Sequence, residues 1–532
     1  MNGEKINVIA ITPTSVTLEV ENDFPYYLMS TKKEWDVYLN HTFVKKIQSN
    51  VFSIFDLSPD TTYLVEVKDQ NQELIMNIKT CEVKYFLDVR KFGAKGDGIH
   101  NDTLAIQTAI MACPTDGLII VPPGEYLVTT LFLKSDTKIE LKKGALIKAS
   151  TNREHFPILP SVLSSNDGTP ENEYFLGSWE GDPFDNFASV ITGINVQNVL
   201  LYGEGTVDGC AHLSDWWINH KVVRIAYRPH LLFLKGCDKV QVLGLTFQNS
   251  PSWTLHPFYS SNLSFLDLKI ENPKESPNTD GLNPESCRNV EIVGVVFNVG
   301  DDCIALKSGK IYMARNHYQP CENVTIRNCL MKYGHGAVVI GSEMSCGMKN
   351  IQVEKCYFLE TDRGIRIKTR RGRGNKARID QLEVSNIIMD GVLTPLVMNM
   401  FYFCDPDGKT EYVYSKEALP VTDLTPSLGK FKFQNIICTN VAISAGFFYG
   451  LKEAPIESIS LENVSFRYQD NPSPGYPAMM SFIEKRSKEG LYFHNVQEVI
   501  LKDVTIEGQD GLPIVTNNVQ NFVQMKKGEK NA

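Results

Sequence analysis

The chain has 532 residues, more than one hydrophobic core usually organises, so it calls for two domains or an elongated repeat architecture. Hydrophobic content of 42% and charged content of 22% exclude a disordered chain. A net charge of -9 excludes a general nucleic-acid binder, which relies on a positive surface that releases counterions, while leaving room for a local cationic pocket.

From its first residues the chain is polar: Met1 to Ala10 holds no apolar run of signal-peptide length, and no stretch anywhere is long and apolar enough to span a membrane. As written, the chain is expected in the cytoplasm, or in the periplasm or medium if a signal has been removed, without membrane association. The 12 cysteines stand singly, without paired zinc-type spacing, and read as small buried hydrophobes. No metal or cofactor is expected.

Residues 1–82 form the first predicted domain. Val16-Thr17-Leu18-Glu19-Val20, Trp35-Asp36-Val37-Tyr38-Leu39 and Tyr63-Leu64-Val65-Glu66-Val67 are short alternating strands between turn-rich segments, the pattern of a small β-sandwich. Leu57-Ser58-Pro59-Asp60-Thr61-Thr62-Tyr63 resembles the loop and tyrosine corner of fibronectin type III domains, in which a Tyr hydroxyl bonds back to upstream backbone.

The second domain is expected over residues 83–532. Phe92-Gly93-Ala94-Lys95-Gly96-Asp97-Gly98 leads into an amphipathic helix from Thr103 to Ile110, with Asp102 as the expected N-cap. Its glycines fit a tight entry turn; a phosphate loop would end in Gly-Lys-Ser/Thr, which is absent. Residues 157–185 exceed a normal connection and are expected to fold over one end of a cleft.

From about residue 195 a short unit recurs, a polar residue followed by alternating apolar positions. It appears as Asn198-Val199-Leu200-Leu201, Lys239-Val240-Gln241-Val242, Asn289-Val290-Glu291-Ile292, Asn323-Val324-Thr325-Ile326 and Asn350-Ile351-Gln352-Val353, with weaker echoes at Ser458 and Glu498. Each unit is too small to bury its apolar face without a neighbour, and Val and Ile at period two favour strands over helices. The expected fold is all-β, a right-handed parallel β-helix behind the sandwich.

Stacked coils bring sequence-distant residues together, and here the stretch from Asn278 onward carries chemistry. Asp280, Asp301 and Asp302 supply carboxylates, His335 an imidazole between two glycines, and Arg366 and Lys368 two cations that share one face of a strand while Ile367 points inward. Glycosidic hydrolysis needs a carboxylic acid to protonate the leaving oxygen and a carboxylate to act on water or on the anomeric carbon; the cations would hold an anionic sugar. Adjacent residues on a regular strand face opposite ways, so Asp301 and Asp302 can share a site only if the chain bends, and Gly300 is the expected bend. A cationic run follows at Arg370, Arg371, Arg373, Lys376 and Arg378, with no interleaved aromatics of the kind that stack nucleic-acid bases. It reads either as a solvated face or as further carboxylate-binding groups.

Asn278-Thr279-Asp280, Gly300-Asp301-Asp302, Gly334-His335-Gly336 and Arg366-Ile367-Lys368, in this order, resemble the recurring elements of the polygalacturonases, glycoside hydrolase family 28. The resemblance covers roughly residues 85 to 510. It implies an inverting hydrolase of α-1,4-galacturonan or oligogalacturonides, with Asp301 as general acid, Asp280 and Asp302 on the attacking water, His335 in support, and Asn278, Arg366 and Lys368 on substrate. Inversion implies roughly 6.5 to 9.5 Å between acid and base. The insertion at 157–185, the segment from Trp253 to His256, the run Arg370, Arg371 and Arg373, and the leading sandwich are similar to the bacterial exopolygalacturonase subgroup, with release of galacturonate or digalacturonate from a chain end and with Trp253 and His256 as candidate sugar contacts. The alternatives are endo-polygalacturonase, hydrolysis of rhamnogalacturonan or xylogalacturonan, a calcium-dependent pectate lyase and a noncatalytic carbohydrate-binding coil.

Overall fold

The computed structural model describes residues 5–21 and 34–525; of the polar leading segment, residues 1–4 lie outside it. Among the described residues no helix is long and apolar enough to cross a membrane.

The N-terminal strands form two antiparallel sheets, Lys5–Ile11, Val16–Glu21 and Val51–Ile54 against Thr42–Ile47, Trp35–Leu39, Thr62–Lys68 and Glu73–Lys79. Their alternating inward residues, among them Val16, Leu18, Trp35, Val37, Val65 and Val67, make one shared core. The Tyr63 hydroxyl accepts the Ser58 N–H at 2.8 Å, closing the corner the sequence suggests.

From Tyr85 onward the chain winds as a parallel β-helix whose successive strands pair in register. One interior column runs Val199, Val240, Leu263, Val290, Val324, Ile351, Leu382, Phe431, Ile459 and Val499, so the recurring sequence unit keeps its phase from coil to coil. The polar residue that opens each unit has a physical reason. Asn198, Asn262, Asn289, Asn323 and Asn350 all take the left-handed conformation, φ 54° to 57°, which Asn tolerates better than most residues. Their side-chain amides then bond upward in a ladder, Asn350 to Asn323 at 2.7 Å, Asn323 to Asn289 at 3.0 Å and Asn289 to Asn262 at 2.9 Å.

The open end of the coil is covered by the helix Thr103–Ala112, which buries Ile106, Ala109 and Ile110. Asp102 is its N-cap residue, yet its carboxylate turns away from the helix and accepts the Lys95 and Gly96 N–H groups at 2.7 and 3.0 Å. The entry loop outcompetes the helix for this side chain because two unpaired amides there converge on one carboxylate.

The sandwich docks along a column at the end of one sheet of the coil, where Ala10 and Val51 meet Leu118, Tyr202, Leu243, Leu266 and Val293. Polar contacts fix it there: Glu19 takes a forked bond from Arg327 and one from the Asn328 amide, and the Ser53 hydroxyl donates to Asp267 at 2.7 Å. All cysteines except Cys81 and Cys404 are buried as free thiols.

Candidate active site

One sheet of the coil carries the site on its outer face. In it Leu255 bridges Leu282, Leu282 bridges Ile304, and Ile304, Val338 and Ile365 follow in register, all pointing inward. Counting back from these positions places Asp280 and Asp302 in the same phase of adjoining coils, and Asp301 in phase with His335, so Asp301 and His335 lie one residue out of step with Asp280. Counting forward, Arg366 and Lys368 project outward while Ile367 enters the core.

The bend that lets both Asp301 and Asp302 serve the site lies at residues 300–303, between the strands Val296–Asn298 and Ile304–Leu306. Gly300 is required by close approach: a Cβ there would fall 2.4 Å from the Ser276 carbonyl oxygen. Asp301 then folds its carboxylate back onto the Asp302 N–H at 3.0 Å. Gly336 is small for a related reason, since a Cβ would press on Val339 at 2.3 Å and reach within 3.3 Å of the Asp302 carboxylate.

Asp280, Asp301 and Asp302 each offer an oxygen within 4.8 Å of the others. These are the nearest oxygens, brought to about the strand spacing of 4.7–4.9 Å by stacking in adjoining coils; the roughly 6.5 to 9.5 Å that inversion implies is measured between whole carboxyl groups with a water between them. The three environments differ sharply. Asp280 is 4% exposed and accepts the Asn283 amide at 3.0 Å; burial and then the Asp301 charge hold its carboxyl well above the usual range. Asp302 is also buried, but Lys368 at 3.0 Å and Arg366 at 3.5 Å, with His335, overcome that burial and hold it below the usual range. Asp301 is the open member, its side chain 24% exposed and 3.3 Å from His335 Nδ1. That hydrogen bond raises His335 to about 9, so the imidazole is charged at neutral pH. Burial and the neighbouring negative charge thus favour the protonated form of Asp280. Three carboxylates so spaced would admit a divalent cation, but Asp302 already has its charge matched by two fixed cations, which oppose a third.

Other candidates fall differently. Asn278 lies beside Asp280, its side-chain oxygen held by Arg228 at 2.7 Å. Arg370 and Arg371 do not face solvent or the cleft: each is 1% exposed, Arg370 bound to Asp405, Asp407 and the Cys404 carbonyl, Arg371 to Glu453 and three carbonyls. Arg373 is buried between Ser342 at 3.3 Å and Asp405 at 3.6 Å. The glycine-rich run folds these guanidiniums inward to meet carboxylates from later loops, so Arg370 and Arg371 are structural ion pairs, not sugar contacts. Lys376 covers the Tyr318 ring, and Arg378 pairs with Asp380 and Glu457.

His256 and Trp253 are likewise interior, at 0% and 3% exposure. His256 joins a buried chain in which Glu285 meets its Nε2 at 2.9 Å, its Nδ1 meets His230 Nε2 at 3.2 Å, and His230 Nδ1 meets the Trp253 carbonyl at 3.1 Å. A carbonyl only accepts, which orients every donor back along the chain. Burial pushes Glu285 up to about 8 and His256 down to about 3, so Glu285 enters as the protonated donor. The chain thus anchors the Trp253 backbone, whose next residue, Thr254, donates its N–H to the Asp280 carbonyl at 2.8 Å.

Residues 157–187 build a wall from three short antiparallel pairs. Its Trp179 stacks at 4.9 Å on both Tyr227 and Trp253. The opposite flank is formed by the later loops, where Asn399 donates to the Met479 carbonyl at 2.8 Å and Arg363 to the Tyr476 and Pro477 carbonyls. Two residues that motif reading overlooked, Lys307 and Glu343, join the charged cluster. Lys307 is buried, 3.2 Å from Glu343, with its ammonium 4.6 Å from the Trp253 ring centroid. Against its own burial, Lys307 with Lys368, Arg373 and Lys310 holds Glu343 well below the carboxylate range. The period-two alternation after Ile304 was the available signal, since it puts Ala305 and Lys307 on the outer face.

The model of glycosyl hydrolases family 28 matches residues 121–472, and one for rhamnogalacturonase A/epimerase, pectate lyase-like, matches residues 86–155. A probable polygalacturonase of Vitis vinifera is 30% identical over 384 residues, 70% of this chain and 72% of that protein. An exo-poly-alpha-D-galacturonosidase of Dickeya chrysanthemi is 26% identical over 483 residues, 83% of this chain and 78% of that protein. The solved structure of the family 28 exopolygalacturonase of Yersinia enterocolitica shares the fold, with TM-score 0.70 and 18% identity, over 97% of this chain and 98% of that one.

Proposed function

This chain belongs to glycosyl hydrolase family 28, and within that family we propose that it is an inverting, exo-acting hydrolase of α-1,4-galacturonan or oligogalacturonides. The observation that carries the reading is the carboxylate cluster Asp280, Asp301 and Asp302, set beside Arg366 and Lys368, with residues 157–185 packed nearby through Trp179 on Trp253 and Gly181 on Lys310. A segment of that length beside the carboxylates fits a site that takes a chain end rather than a polymer threaded past it. The Dickeya chrysanthemi relative, an exo-poly-alpha-D-galacturonosidase, supports the same reading.

In this mechanism Asp301, the exposed carboxyl, protonates the leaving oxygen. Docking of that oxygen draws the proton that burial favours on Asp280 over to Asp301. Asp280, so freed, and Asp302 take up the attacking water. Asp302 has cations on both oxygens, which favours water over the carboxylate itself as the nucleophile at carbon. The substrate carboxylate sits against Arg366 and Lys368, Arg as a planar fork and Lys as a point charge.

A time course on polygalacturonate tests the reading. Exo attack releases one small product while viscosity falls slowly, and proton NMR of the first-formed product shows the inverted anomer. Rapid loss of viscosity sinks the exo assignment, and a retained anomer sinks the water mechanism. Asp301→Asn is expected to lose about 10² to 10⁴ in turnover while still binding substrate.

A further inference from the structure

Within the wall over the cavity, Trp179 pairs with Asp182, leaving Glu180 and Gly181 as a two-residue turn. Both have positive φ, 48° and 81°. Such turns favour Asn, Asp or Gly at the first position, and a longer side chain there carries strain. The turn does not explain Glu180.

The surroundings do. The turn is pressed into the cavity: the Lys310 N–H donates to the Gly181 carbonyl at 2.8 Å, Asp182 pairs with Lys310 at 3.2 Å, and a Cβ on Gly181 would fall 2.9 Å from the Glu343 side chain. Glu180 is half-buried, with Glu343, Lys310, Asp405 and Lys307 as its charged neighbours, and Tyr227 and Arg228 feel its charge. Among the described residues it makes neither a hydrogen bond nor an ion pair. Lys310 is committed to Asp182 and Asp405, and Lys307 to Glu343. A desolvated carboxylate left with open acceptors on a strained turn is held for a ligand that donates.

We propose that Glu180 reads the end of the substrate chain by accepting a hydrogen bond from a hydroxyl that only a terminal sugar possesses. A carboxylate is acceptor-only. Inside a 1,4-linked chain O4 is an ether oxygen without a proton, whereas the non-reducing terminal residue carries a free 4-OH and the reducing terminal residue a free anomeric OH. An internal residue would turn a linkage oxygen without a proton toward Glu180 in place of that hydroxyl, with the next galacturonate carboxylate close by, a like charge in a poorly solvated space. Glu180 is thus a specificity-determining contact, and the inference rests on the exo reading above.

The test compares wild type, Glu180→Gln and Glu180→Ala on trigalacturonate, on trigalacturonate reduced at its reducing end, and on polygalacturonate. Glu180→Ala should raise KM for the trimer about tenfold or more with a smaller change in kcat, the range expected for losing a charged hydrogen bond. It should also raise the viscosity lost per bond cleaved on the polymer. Glu180→Gln keeps the volume and one acceptor and should fall between. If the Glu180 dependence persists on the reduced trimer, the 4-OH is the group read; if it vanishes there, the anomeric OH is. A KM within about twofold of wild type in Glu180→Ala, with unchanged viscosity loss per bond, overturns the proposal while leaving the exo reading intact. Rapid thinning of the polymer by wild type overturns both.

Discussion

Replacing Asp280 by Asn should cost the protein its activity and at the same time stabilise it, with a gain that grows with pH. Its carboxylate lies within 4.8 Å of two others and is 4% exposed. At an effective dielectric constant of about 20, two unit charges at that distance repel by about 3 kcal/mol, partly offset by the buried Lys307. A carboxyl whose folded proton affinity is raised contributes stability that is complete below its unfolded pKa and is lost as pH rises through the folded value. Asn mimics the protonated form at every pH, so the two proteins should melt alike near pH 4. Above that the variant should pull ahead by about 1–2 kcal/mol, a few degrees in melting temperature. Scanning calorimetry between pH 4 and 8, paired with a reducing-sugar assay expected to show about 10² to 10⁴ less turnover, measures both effects. A variant that melts below wild type at pH 8, or a gap that does not change with pH, would refute the view that the fold favours the protonated form of Asp280.

Lys368→Met leaves Asp302 buried beside Arg366 alone and should cost about 3 kcal/mol at neutral pH. Since Asp302 is held low, that penalty should shrink as pH falls through its folded pKa and the carboxylate protonates, which urea titrations at pH 3 and 7 would register. Arg371→Ala breaks the internal pair with Glu453 and should lower the melting temperature without changing KM in the folded fraction; a raised KM at unchanged stability would return Arg371 to the substrate. Chelation by EDTA should leave hydrolysis intact, because Asp302 is neutralised by protein cations, and loss of activity restored by calcium would show that the carboxylates hold an ion.

Much of this molecule was legible in its residues. The apolar alternation from Val199 to Val499 declared a stacked coil because each unit needs a neighbour to bury its face, and Ile367 between Arg366 and Lys368 showed which way those cations point, because strand side chains alternate strictly. The acids, the imidazole and the cations were recognisable as a hydrolytic set before any coordinate was known. What tertiary structure alone decided is who meets whom across the coils. Arg370 and Arg371 were indistinguishable from free cations until Asp405, Asp407 and Glu453, more than thirty residues later, arrived to bind them. His256 was a plausible sugar contact until Trp253, His230 and Phe258 were seen to enclose it. The carboxylate spacing follows from the stacking distance of two coils, and the raised proton affinity of Asp280 from its burial, because distance and desolvation belong to the packed chain and to no single residue in it.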